Sequence, residues 1–334
     1  MVMKKRKTIM ITGGCGFIGH HLVDHILKNT EWDIIVIDKL SYASDGLEKL
    51  RDNKSINNKR VKVFPIDFTL PFSDGIKREI GENVNFIAHL GAESHVDNSI
   101  IEPRYFFKNN IDGTVELLEY AKTLKKLELF FYFSTDEVFG PAPKTVSYSE
   151  WDRHKPTNPY SASKSAAEGI CIAYANTFSL PIMIVNNMNV FGERQHVEKF
   201  IPQTIKKILL GQTITIHADK MKKNPGSRFY IHAKNVCASL LFLMKKGKIG
   251  EKYNIVGEKE VNNLELAQLI ANILKKKLKY ELVDFHSSRP GHDLRYSLSD
   301  KHLKKLGWKQ PDDFEKSLKS TVLWTCKNKR WIDL

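Results

Sequence analysis

Two adjacent acidic residues, Asp136 and Glu137, follow a run of apolar residues and a hydroxyl pair. The apolar run at 127–133 (LELFFYF) predicts a buried strand. A carboxylate at the end of such a strand costs on the order of several kcal/mol unless it is paired or used. The stretch 134–140 (STDEVFG) is therefore a candidate site for acid and base chemistry. The alternative is a solvated turn in which Asp136 caps the next segment, and this stretch alone does not favour the chemical interpretation.

A second candidate pair, Tyr160 and Lys164, lies at the start of a predicted helix whose first residues, 158–164, read NPYSASK. Residues four apart share one helical face. A phenol titrates near ~10 and becomes a useful base at neutral pH when a nearby cation stabilises the phenolate. An isolated tyrosine and lysine at this spacing are more often structural, so the interpretation depends on what precedes them.

The N-terminal part of the chain has the order of elements that binds a dinucleotide. A short apolar strand at 8–12 leads into a glycine-rich turn at 13–19 (GGCGFIG), then a helix to about 28 and a strand at 33–37. The glycines permit a tight turn and a close approach of the backbone to a pyrophosphate at the helix N-terminus. The predicted cofactor contacts here are Gly13, Gly16, Phe17, Ile18 and Gly19.

An acid ends the second strand. Asp38 follows Gly19 by 19 residues, where a carboxylate accepts hydrogen bonds from both ribose hydroxyls. The same charge repels a 2′-phosphate, which favours NAD over NADP. The adjacent cation, Lys39, weakens that preference slightly.

Chemically unusual residues follow each of five successive predicted strands: the glycines, Asp38, Asp67 with Phe68, residues 91–95, and residues 134–137. In an open parallel sheet, ligands bind at the edge formed by the carboxyl ends of the strands. Asp67 and Phe68 are therefore candidate adenine contacts, and Leu90 and Ala92 are candidate dinucleotide contacts. In this setting, Tyr160 and Lys164 favour a proton-transfer role.

The alternation of strands and helices predicts an α/β fold, a Rossmann-type doubly wound parallel sheet with a smaller interleaved α/β substrate-binding domain. We expect residues 1–187, joined by roughly 229–256, to form the NAD-binding domain. Residues 188–228 and 257–334 are expected to bind the substrate.

Composition limits the classes of function. The 334 residues carry a net charge of +14, which fits an anionic substrate, nucleic acid or simply a lysine-rich surface. Since no nucleic-acid-binding motif is present, a nucleic-acid partner is not expected. The four cysteines lack metal-ligand or redox spacing, so we expect no metal and a cytoplasmic location. No apolar stretch predicts a signal segment or a membrane span.

The motifs together resemble the extended short-chain dehydrogenase/reductases, and within them the nucleotide-sugar (dTDP- or UDP-glucose) 4,6-dehydratases. The resemblance extends over about 9–308. Glycine turn, Asp38 and the Tyr160/Lys164 pair are typical of the superfamily. The motifs typical of the dehydratases are GAESHVDNSI (91–100), STDEVFG (134–140), PTNPYSASK (156–164), Glu198-Lys199 and RPGHDLRY (289–296).

The resemblance implies a hydro-lyase that recycles bound NAD and forms an NDP-4-keto-6-deoxyglucose, as in rhamnose biosynthesis. Tyr160, helped by Lys164 and Thr135, would take the proton of the 4-hydroxyl. Glu137 would remove the C5 proton, and Asp136 would protonate the departing 6-hydroxyl. The elimination needs one acid and one base, so the two carboxylates must have different environments.

The resemblance also implies the substrate contacts. Those near the sugar are Glu198, Lys199 and Tyr296, and those near the nucleoside diphosphate are Asn189, Arg228, Asn263 and His292. Ser94 and His95 are further expected substrate contacts. The segment 217–228 (HADKMKKNPGSR) is longer and more basic than the usual turn, so the base remains either uracil or thymine. The motifs PTNPYSASK (156–164) and NVFG (189–192) resemble UDP-glucose dehydratases slightly more, which gives a slight preference for UDP.

Two further points come from the resemblance. A homodimer is expected, formed through helices near 100–125 and 160–178. The alternative function is a UDP-sugar 4-epimerase or another NAD-dependent nucleotide-sugar enzyme of the same superfamily. The adjacent acids Asp136 and Glu137 argue against simple 4-epimerisation, because that reaction needs no acid and base at C5 and C6.

Overall fold

The computed structural model describes residues 6–285 and 294–334, which form two compact units. The first unit contains 6–135, 159–186 and 240–253. The second contains 136–158, 187–239 and the described part of 254–334. None of the described helices is both long enough and apolar enough to cross a membrane.

The strands and short helices follow the alternation expected from the sequence. The strands are β1 (Thr8–Thr12), β2 (Asp33–Asp38), β3 (Val61–Pro65), β4 (Val84–His89), β5 (Leu129–Thr135), β6 (Ile182–Asn187), β7 (Val190–Phe191), β8 (Ile214–Ala218), β9 (Ser227–Phe229), β10 (Ile231–His232), β11 (Lys252–Ile255), β12 (Glu260–Asn262) and β13 (Tyr280–Asp284). The helices are α1 (Phe17–Asn29), α2 (Glu48–Asp52), α3 (Asp74–Ile80), α4 (Val96–Ile101), α5 (Pro103–Phe107), α6 (Gly113–Lys122), α7 (Pro159–Phe178), α8 (Phe200–Leu209), α9 (Ala233–Lys246), α10 (Asn263–Leu274), α11 (Lys301–Lys305) and α12 (Phe314–Lys327).

A seven-stranded sheet forms the centre of the fold, in the order β11-β6-β5-β4-β1-β2-β3. The pairs β1/β2, β2/β3, β1/β4 and β4/β5 are parallel. The chain reverses its direction of travel across the sheet between β3 and β4, which is the switch point of a Rossmann fold. The predicted doubly wound fold is confirmed.

Both faces of this sheet are buried, as a doubly wound sheet requires. Met10 packs in one cluster with Leu118 of α6 and Cys171 of α7. Its neighbours Ile9 and Ile11 are also 0% exposed and point to the opposite face, because successive strand side chains alternate. The apolar runs read from the sequence are therefore strands covered on both sides.

The helix expected near 100–125 is interrupted. Between α5 and α6 the backbone forms one π-helical turn at Lys108–Asp112. Such turns are rare and often occur at functional sites. This one turns the side chains of Asn109 and Asn110 inward, where they are 2% and 1% exposed.

The second unit includes residues 136–158, although the sequence pattern predicts them in the NAD-binding domain. After β5 the backbone bonds instead to the segment at 295–299, with Ala142 N donating to Arg295 O at 3.0 Å and Tyr148 N to Ser297 O at 3.0 Å. An extended segment needs hydrogen-bond partners for its backbone N–H and C=O groups. The sequence pattern does not indicate which other segment supplies them. Which unit binds which ligand stays a prediction.

The second unit has its own core between short paired strands and three helices. The pairs β7/β10 and β8/β13 are parallel, and β9/β12 is antiparallel. Ile205 of α8, Ile216 of β8, Ile270 of α10 and Leu318 of α12 share one buried cluster. This core supports the ends of β9 and α10, where several candidate substrate contacts lie.

Candidate active site

The glycine-rich turn connects β1 to α1. Its backbone packs closely against itself and against the loop after β4. Gly13 has φ +68°, and a Cβ atom there would lie 2.8 Å from the Cα of Gly91. A Cβ atom on Gly19 would lie 2.0 Å from the carbonyl oxygen of Gly13. Gly16 directly precedes Phe17 and Ile18, the first residues of α1, whose N-terminal N–H groups lack partners within the helix. The turn fits a pyrophosphate, because it offers backbone donors without side chains.

Asp38 ends β2 beside this turn. Its carboxylate accepts hydrogen bonds from the backbone N–H groups of Cys15 (2.9 Å) and Leu40 (2.8 Å), one on each oxygen. Burial raises the pKa of the Asp38 carboxyl, and these two hydrogen bonds oppose that rise. Each oxygen keeps a second lone pair for a ribose hydroxyl.

Lys39, next to Asp38, could attract the 2′-phosphate of NADP, but it is paired with other side chains. Its ammonium group lies 2.9 Å from a carboxylate oxygen of Glu93 and donates to Tyr105 Oη and Asn109 Oδ1, each at 2.7 Å. Burial alone would lower the pKa of Lys39, but the contacts with Tyr105 and Glu93 outweigh it and raise that pKa. The cation that weakened the preference for NAD is thus neutralised by Glu93.

A chain of buried hydrogen bonds supports the loop after β4. Gly91 N donates to Thr12 Oγ1 (3.1 Å), which lies 2.7 Å from His89 Nδ1. The other ring nitrogen of His89 is 3.0 Å from Thr114 Oγ1. Since Thr114 Oγ1 donates to Asn110 O, His89 carries its proton on Nε2. Burial lowers the pKa of His89 to about 3, so the ring is neutral.

The predicted ligands in this loop differ in exposure. Leu90 and Ala92 are partly buried, Ser94 is exposed, and His95 is partly buried. His95 also caps α4, accepting from Asn98 N on Nδ1 at 3.4 Å. The loop therefore offers both a backbone surface and polar side chains.

Asn110, in the π-helical turn, is a site residue that sequence reasoning missed. Its amide nitrogen donates to Glu93 O (3.0 Å) and Ser163 Oγ (2.9 Å), and its oxygen accepts from Glu93 N (2.9 Å). It joins the loop after β4 to α7, the helix that carries Tyr160. The only signal in the sequence was a polar residue within an apolar helical pattern, which is not specific.

The two predicted adenine contacts, Asp67 and Phe68, differ in solvent exposure. Asp67 is exposed, and its carboxylate accepts from Thr69 N at 2.9 Å. Phe68 is 3% exposed and fills the space left by Gly91 and Gly113, at each of which a Cβ atom would lie within 2.6 Å of the ring. The Phe68 ring thus belongs to the core of the first unit, and its predicted adenine contact remains untested.

Tyr160, Lys164 and Thr135 all lie in the first unit. Thr135 ends β5 at 7% exposure, while Tyr160 packs against Val96 and Phe106. The ammonium group of Lys164 lies 4.3 Å from the centre of the Tyr132 ring. Burial lowers the pKa of Lys164 to about 8.

A buried carboxylate lies one turn beyond Lys164. Glu168 is 0% exposed and forms an ion pair with Lys252 of β11 at 2.7 Å. Its other oxygen accepts from Asn186 Nδ2 at 2.7 Å and from Ser134 Oγ. Sequence reasoning missed this group, because its members come from β5, α7, β6 and β11.

The acid pair itself belongs to the second unit and is asymmetric. Asp136 is 4% exposed, whereas Glu137 is only partly buried. One oxygen of Glu137 accepts a hydrogen bond from Asn158 Nδ2 at 3.2 Å. Two adjacent carboxylates with different surroundings are what an acid and a base require.

Asn187 and Asn189 have buried side-chain amide atoms with no hydrogen-bond partner in the described part of the chain. Asn187 is 6% exposed, and neither its side-chain oxygen nor its nitrogen has a partner among residues 6–285 and 294–334. The buried Oδ1 of the predicted ligand Asn189 likewise accepts nothing from that part of the chain. Buried polar atoms are nearly always satisfied, so these amides fit a bound polar ligand.

Arg228, Asn263 and Tyr296 are brought together in the second unit. The guanidinium group of Arg228 lies 4.7 Å from the centre of the Tyr296 ring and donates to Leu294 O at 2.7 Å. Asn263 begins α10, and its backbone N donates to Gly226 O at 2.9 Å. His292 lies outside the described residues.

Glu198 and Lys199 lie just before α8. Their charged groups are 3.6 Å apart, and Glu198 is also 3.5 Å from His196 Nδ1. Both side chains are partly buried, at 21% and 33% exposure, which leaves part of each available to a sugar. No group of three or more histidine, cysteine or acidic residues within the described ranges could hold a metal ion.

The chain is similar to known proteins over nearly its whole length. The chain is 36% identical over 332 residues to the trifunctional UDP-glucose 4,6-dehydratase/UDP-4-keto-6-deoxy-D-glucose 3,5-epimerase/UDP-4-keto-L-rhamnose-reductase of Arabidopsis thaliana, and the match covers 98% of this chain but 48% of that protein. The chain thus spans about half the length of this relative. It is 34% identical to the dTDP-glucose 4,6-dehydratase of Escherichia coli, with 97% of this chain and 94% of that protein covered.

A solved structure is similar over nearly the whole chain. The dTDP-glucose 4,6-dehydratase DesIV of Streptomyces venezuelae, solved with NAD bound, has a TM-score of 0.86 and 30% identity, with 97% of this chain and 98% of that chain covered. The family model for GDP-mannose 4,6 dehydratase matches residues 10–321. The chain therefore belongs to this family of nucleotide-sugar 4,6-dehydratases among the extended short-chain dehydrogenase/reductases.

Proposed function

We propose that the protein is an NAD-dependent nucleotide-sugar 4,6-dehydratase, a hydro-lyase that converts UDP-glucose or dTDP-glucose to the NDP-4-keto-6-deoxyglucose and water. The observation that carries this function is the Asp136–Glu137 pair directly after β5, in a family member that also has Tyr160 and Lys164 on α7. Loss of water needs an acid and a base at neighbouring carbons. Simple 4-epimerisation needs neither, so the epimerase alternative is not favoured.

NAD fits the first unit. The glycine turn leaves room for a pyrophosphate against the N-terminus of α1, and Asp38 keeps acceptor capacity for the ribose. Because Glu93 neutralises Lys39, Asp38 is the charged group that discriminates against a 2′-phosphate. Bound NAD supplies the chemistry of taking a hydride from C4 of the sugar and returning it to C6.

Tyr160 is the base at the 4-hydroxyl. Lys164, one helical turn away, favours its phenolate form, and the Thr135 hydroxyl would favour it further by donating a hydrogen bond. Lys164 must be protonated for this role, so its lowered pKa of about 8 places the loss of activity in the mildly alkaline range. The proton from the 4-hydroxyl is held on Tyr160 Oη.

Glu137 removes the C5 proton, and Asp136 protonates the 6-hydroxyl as it leaves. The assignment is supported by the difference in exposure, since burial disfavours a charged carboxylate at Asp136. Asn158 donates to Glu137, and a hydrogen bond of that kind favours an ionised base. The C5–H and C6–O bonds break, the C5=C6 double bond forms, and one water molecule departs.

The second unit contains side chains whose charge and hydrogen-bonding groups suit a nucleotide-sugar. Arg228, stacked on Tyr296, offers a positive charge to the diphosphate, and the unmatched amides of Asn187 and Asn189 offer hydrogen bonds. The remaining members of the proposed substrate set are Ser94, His95, Glu198, Lys199, Asn263 and His292.

One assay tests the reaction class. The protein is incubated with UDP-glucose and, separately, with dTDP-glucose in heavy water, and the product is analysed by mass spectrometry and NMR. We expect a 4-keto-6-deoxy product that carries deuterium at C5. A product with inverted configuration at C4 and no loss of water would identify an epimerase. An unchanged sugar in both reactions would reject the proposed reaction.

Single substitutions separate the two acids. Glu137→Gln should still transfer hydride, seen as NADH absorbance, but should not exchange the C5 hydrogen with solvent. Asp136→Asn should permit C5 exchange and slow the loss of water. Glu82→Gln, an exposed acid in the first unit, is the control and should behave as the wild type. Normal turnover by Glu137→Gln would show that its role is wrongly assigned.

A homodimer is part of the proposal. It is supported by exposed apolar side chains on α4, α5 and α7, where Ile101 is 77%, Tyr105 45% and Phe178 48% exposed. Ile101→Lys should shift the sedimentation coefficient from that of a dimer to that of a monomer. An unchanged dimer would place the interface elsewhere. A cytoplasmic location and a place in rhamnose biosynthesis stay predictions.

A further inference from the structure

Glu168 and Lys252 form a buried ion pair, and neither residue has a role in the reaction proposed above. The charged atoms are 2.7 Å apart, and the side chains are 0% and 3% exposed. Desolvating two charges costs about as much as their attraction returns, so such a pair is weak evidence for a stabilising role. Its position points to another role.

Helix α7 carries Tyr160, Lys164 and Glu168 at successive intervals of four residues. Side chains at this spacing lie on one face of the helix and are close neighbours. The Glu168 charge acts on Lys164: burial lowers the pKa of Lys164, and the Glu168 carboxylate partly opposes that effect. The charge state at Glu168 is therefore felt at Lys164.

Two uncharged side chains hydrogen-bond to the carboxylate of Glu168. Asn186 Nδ2 donates to one carboxylate oxygen at 2.7 Å, and Ser134 Oγ donates to the same oxygen. Hydrogen bonds to a carboxylate favour its charged form. Lys252 contacts the other oxygen, so the group brings together one acidic and two basic side chains, with a formal net charge of +1.

The other titratable groups near Lys164 are uncharged at working pH. They are His89 of β4, Tyr132 of β5 and Cys171 of α7. Burial lowers the pKa of His89 to about 3, and it raises the pKa of the Tyr132 hydroxyl and of the Cys171 thiol. The charge near Tyr160 on this side is thus set by Lys164, Glu168 and Lys252.

We propose that Glu168 and Lys252 are positioning residues that set how much of the positive charge on Lys164 acts on the Tyr160 hydroxyl. This inference rests on the proposed function for Tyr160 and Lys164. Lys252 holds the Glu168 carboxylate, so that Glu168 does not fully neutralise Lys164. Glu168 in turn screens Lys164 from the like charge of Lys252.

The experiment follows tyrosinate formation without turnover. Ultraviolet absorbance is recorded against pH for each variant, and the same variant carrying Tyr160→Phe is subtracted, so that the difference reports Tyr160. Activity is recorded against pH in parallel. Glu168→Gln removes the negative charge, so both the tyrosinate midpoint and the alkaline limb of activity should move down by about one pH unit.

Lys252→Met should move both midpoints in the opposite direction, because it removes a positive charge and leaves the Glu168 carboxylate facing Lys164 alone. The double variant Glu168→Gln/Lys252→Met should return both midpoints towards the wild type. Glu168→Asp, which keeps the charge, should leave them near the wild type. Lys28→Met, which removes an exposed pair with Asp24 on α1, is the control and should shift neither.

Several outcomes would overturn the inference. A purely structural pair lowers the height of the pH profile without moving it, and the double variant is then no better than the single ones. If Glu168→Gln does not fold, an unshifted midpoint in Lys252→Met rejects the proposal. If the tyrosinate midpoint shifts but the protein has no dehydratase activity, the positioning role is supported and the proposed function is rejected. If the protein is an active dehydratase and the midpoints do not shift, the function is supported and the positioning role is rejected.

Discussion

The carboxylate of Glu93 lies 2.9 Å from the ammonium group of Lys39, and the two side chains are 6% and 17% exposed. Lys39 directly follows Asp38, the proposed ribose ligand, so a free lysine there would attract a 2′-phosphate. Glu93 holds this cation in a pair supported by Tyr105 and Asn109. We expect this ion pair to influence the choice between NAD and NADP, because it holds Lys39 against the loop after β4.

We therefore expect Glu93→Gln to relax cofactor choice. The glutamine keeps the shape of the side chain but leaves the charge of Lys39 uncompensated. The ratio of NADP to NAD affinity should rise roughly fivefold, on the scale of ~1 kcal/mol for a partly exposed pair. Isothermal titration with each cofactor measures the ratio.

The matched control is Glu128→Gln, which breaks an exposed pair with Lys7 in the same unit. It should leave the ratio unchanged. Adding Lys39→Gln to Glu93→Gln should remove the gain for NADP. A ratio that stays raised in this double variant would mean that Lys39 is not the responsible cation.

Gly19→Ala should abolish cofactor binding and destabilise the fold. Its Cβ atom would lie 2.0 Å from the carbonyl oxygen of Gly13, and backbone atoms cannot move apart there without opening the turn. We expect a loss of about 2–3 kcal/mol in the free energy of unfolding, as for other strained backbone positions. Urea unfolding and cofactor titration measure the two effects.

Gly169→Ala is the control for that change. Gly169 lies within α7, is exposed, and has nothing within 4 Å of its would-be Cβ atom. The substitution should raise the free energy of unfolding by about 0.5–1 kcal/mol, because alanine favours a helix interior. Similar losses in both variants would refute the argument from backbone contact.

Asn110→Asp should uncouple the loop after β4 from α7. The aspartate cannot donate to Glu93 O and Ser163 Oγ, and it leaves acceptors facing acceptors in a buried site. We expect the free energy of unfolding to fall by about 2–4 kcal/mol, together with weaker NAD binding. The control is Asn83→Asp, a partly buried asparagine whose Oδ1 accepts a solvent-exposed hydrogen bond from Lys126. Equal stability of the two variants would remove Asn110 from this role.

The buried charge of Lys164 should make stability depend on pH. Its pKa falls from 10.5 to about 8 on folding, so burial destabilises the protein fully below pH 8, and the effect disappears as the pH rises through 10.5. Lys164→Met removes that term. The stability of the variant relative to the wild type should therefore be greatest near neutral pH, by on the order of 3 kcal/mol, and should shrink towards pH 10.

Urea unfolding at several pH values tests this prediction. The loss of the Lys164 contact with the Tyr132 ring offsets the difference by a constant amount, so the decisive quantity is its change with pH. A difference that does not change between neutral and alkaline pH would show that Lys164 is not strongly perturbed. The variant should be inactive at every pH.

The sequence by itself determined the sheet and the chemical types at its edge. The glycine turn, Asp38, and the apolar runs that became β1, β2, β4 and β5 are local signals, because strand burial and turn geometry are written in consecutive residues. Tyr160 and Lys164 could be paired for the same reason, since the period of a helix alone places them on one face. The acids Asp136 and Glu137 were visible because they interrupt an apolar run.

The tertiary structure alone decided which charged groups meet. Glu168 and Lys252 are 84 positions apart, and their ion pair forms because β11 joins the edge of the sheet beside β6. Asn110 acquired its partners through a π-helical turn that no period in the sequence indicates. The pairing of Lys39 with Glu93 likewise depends on two loops meeting. Long-range contacts are set by how whole elements pack, and that information is spread over the chain rather than held in any motif.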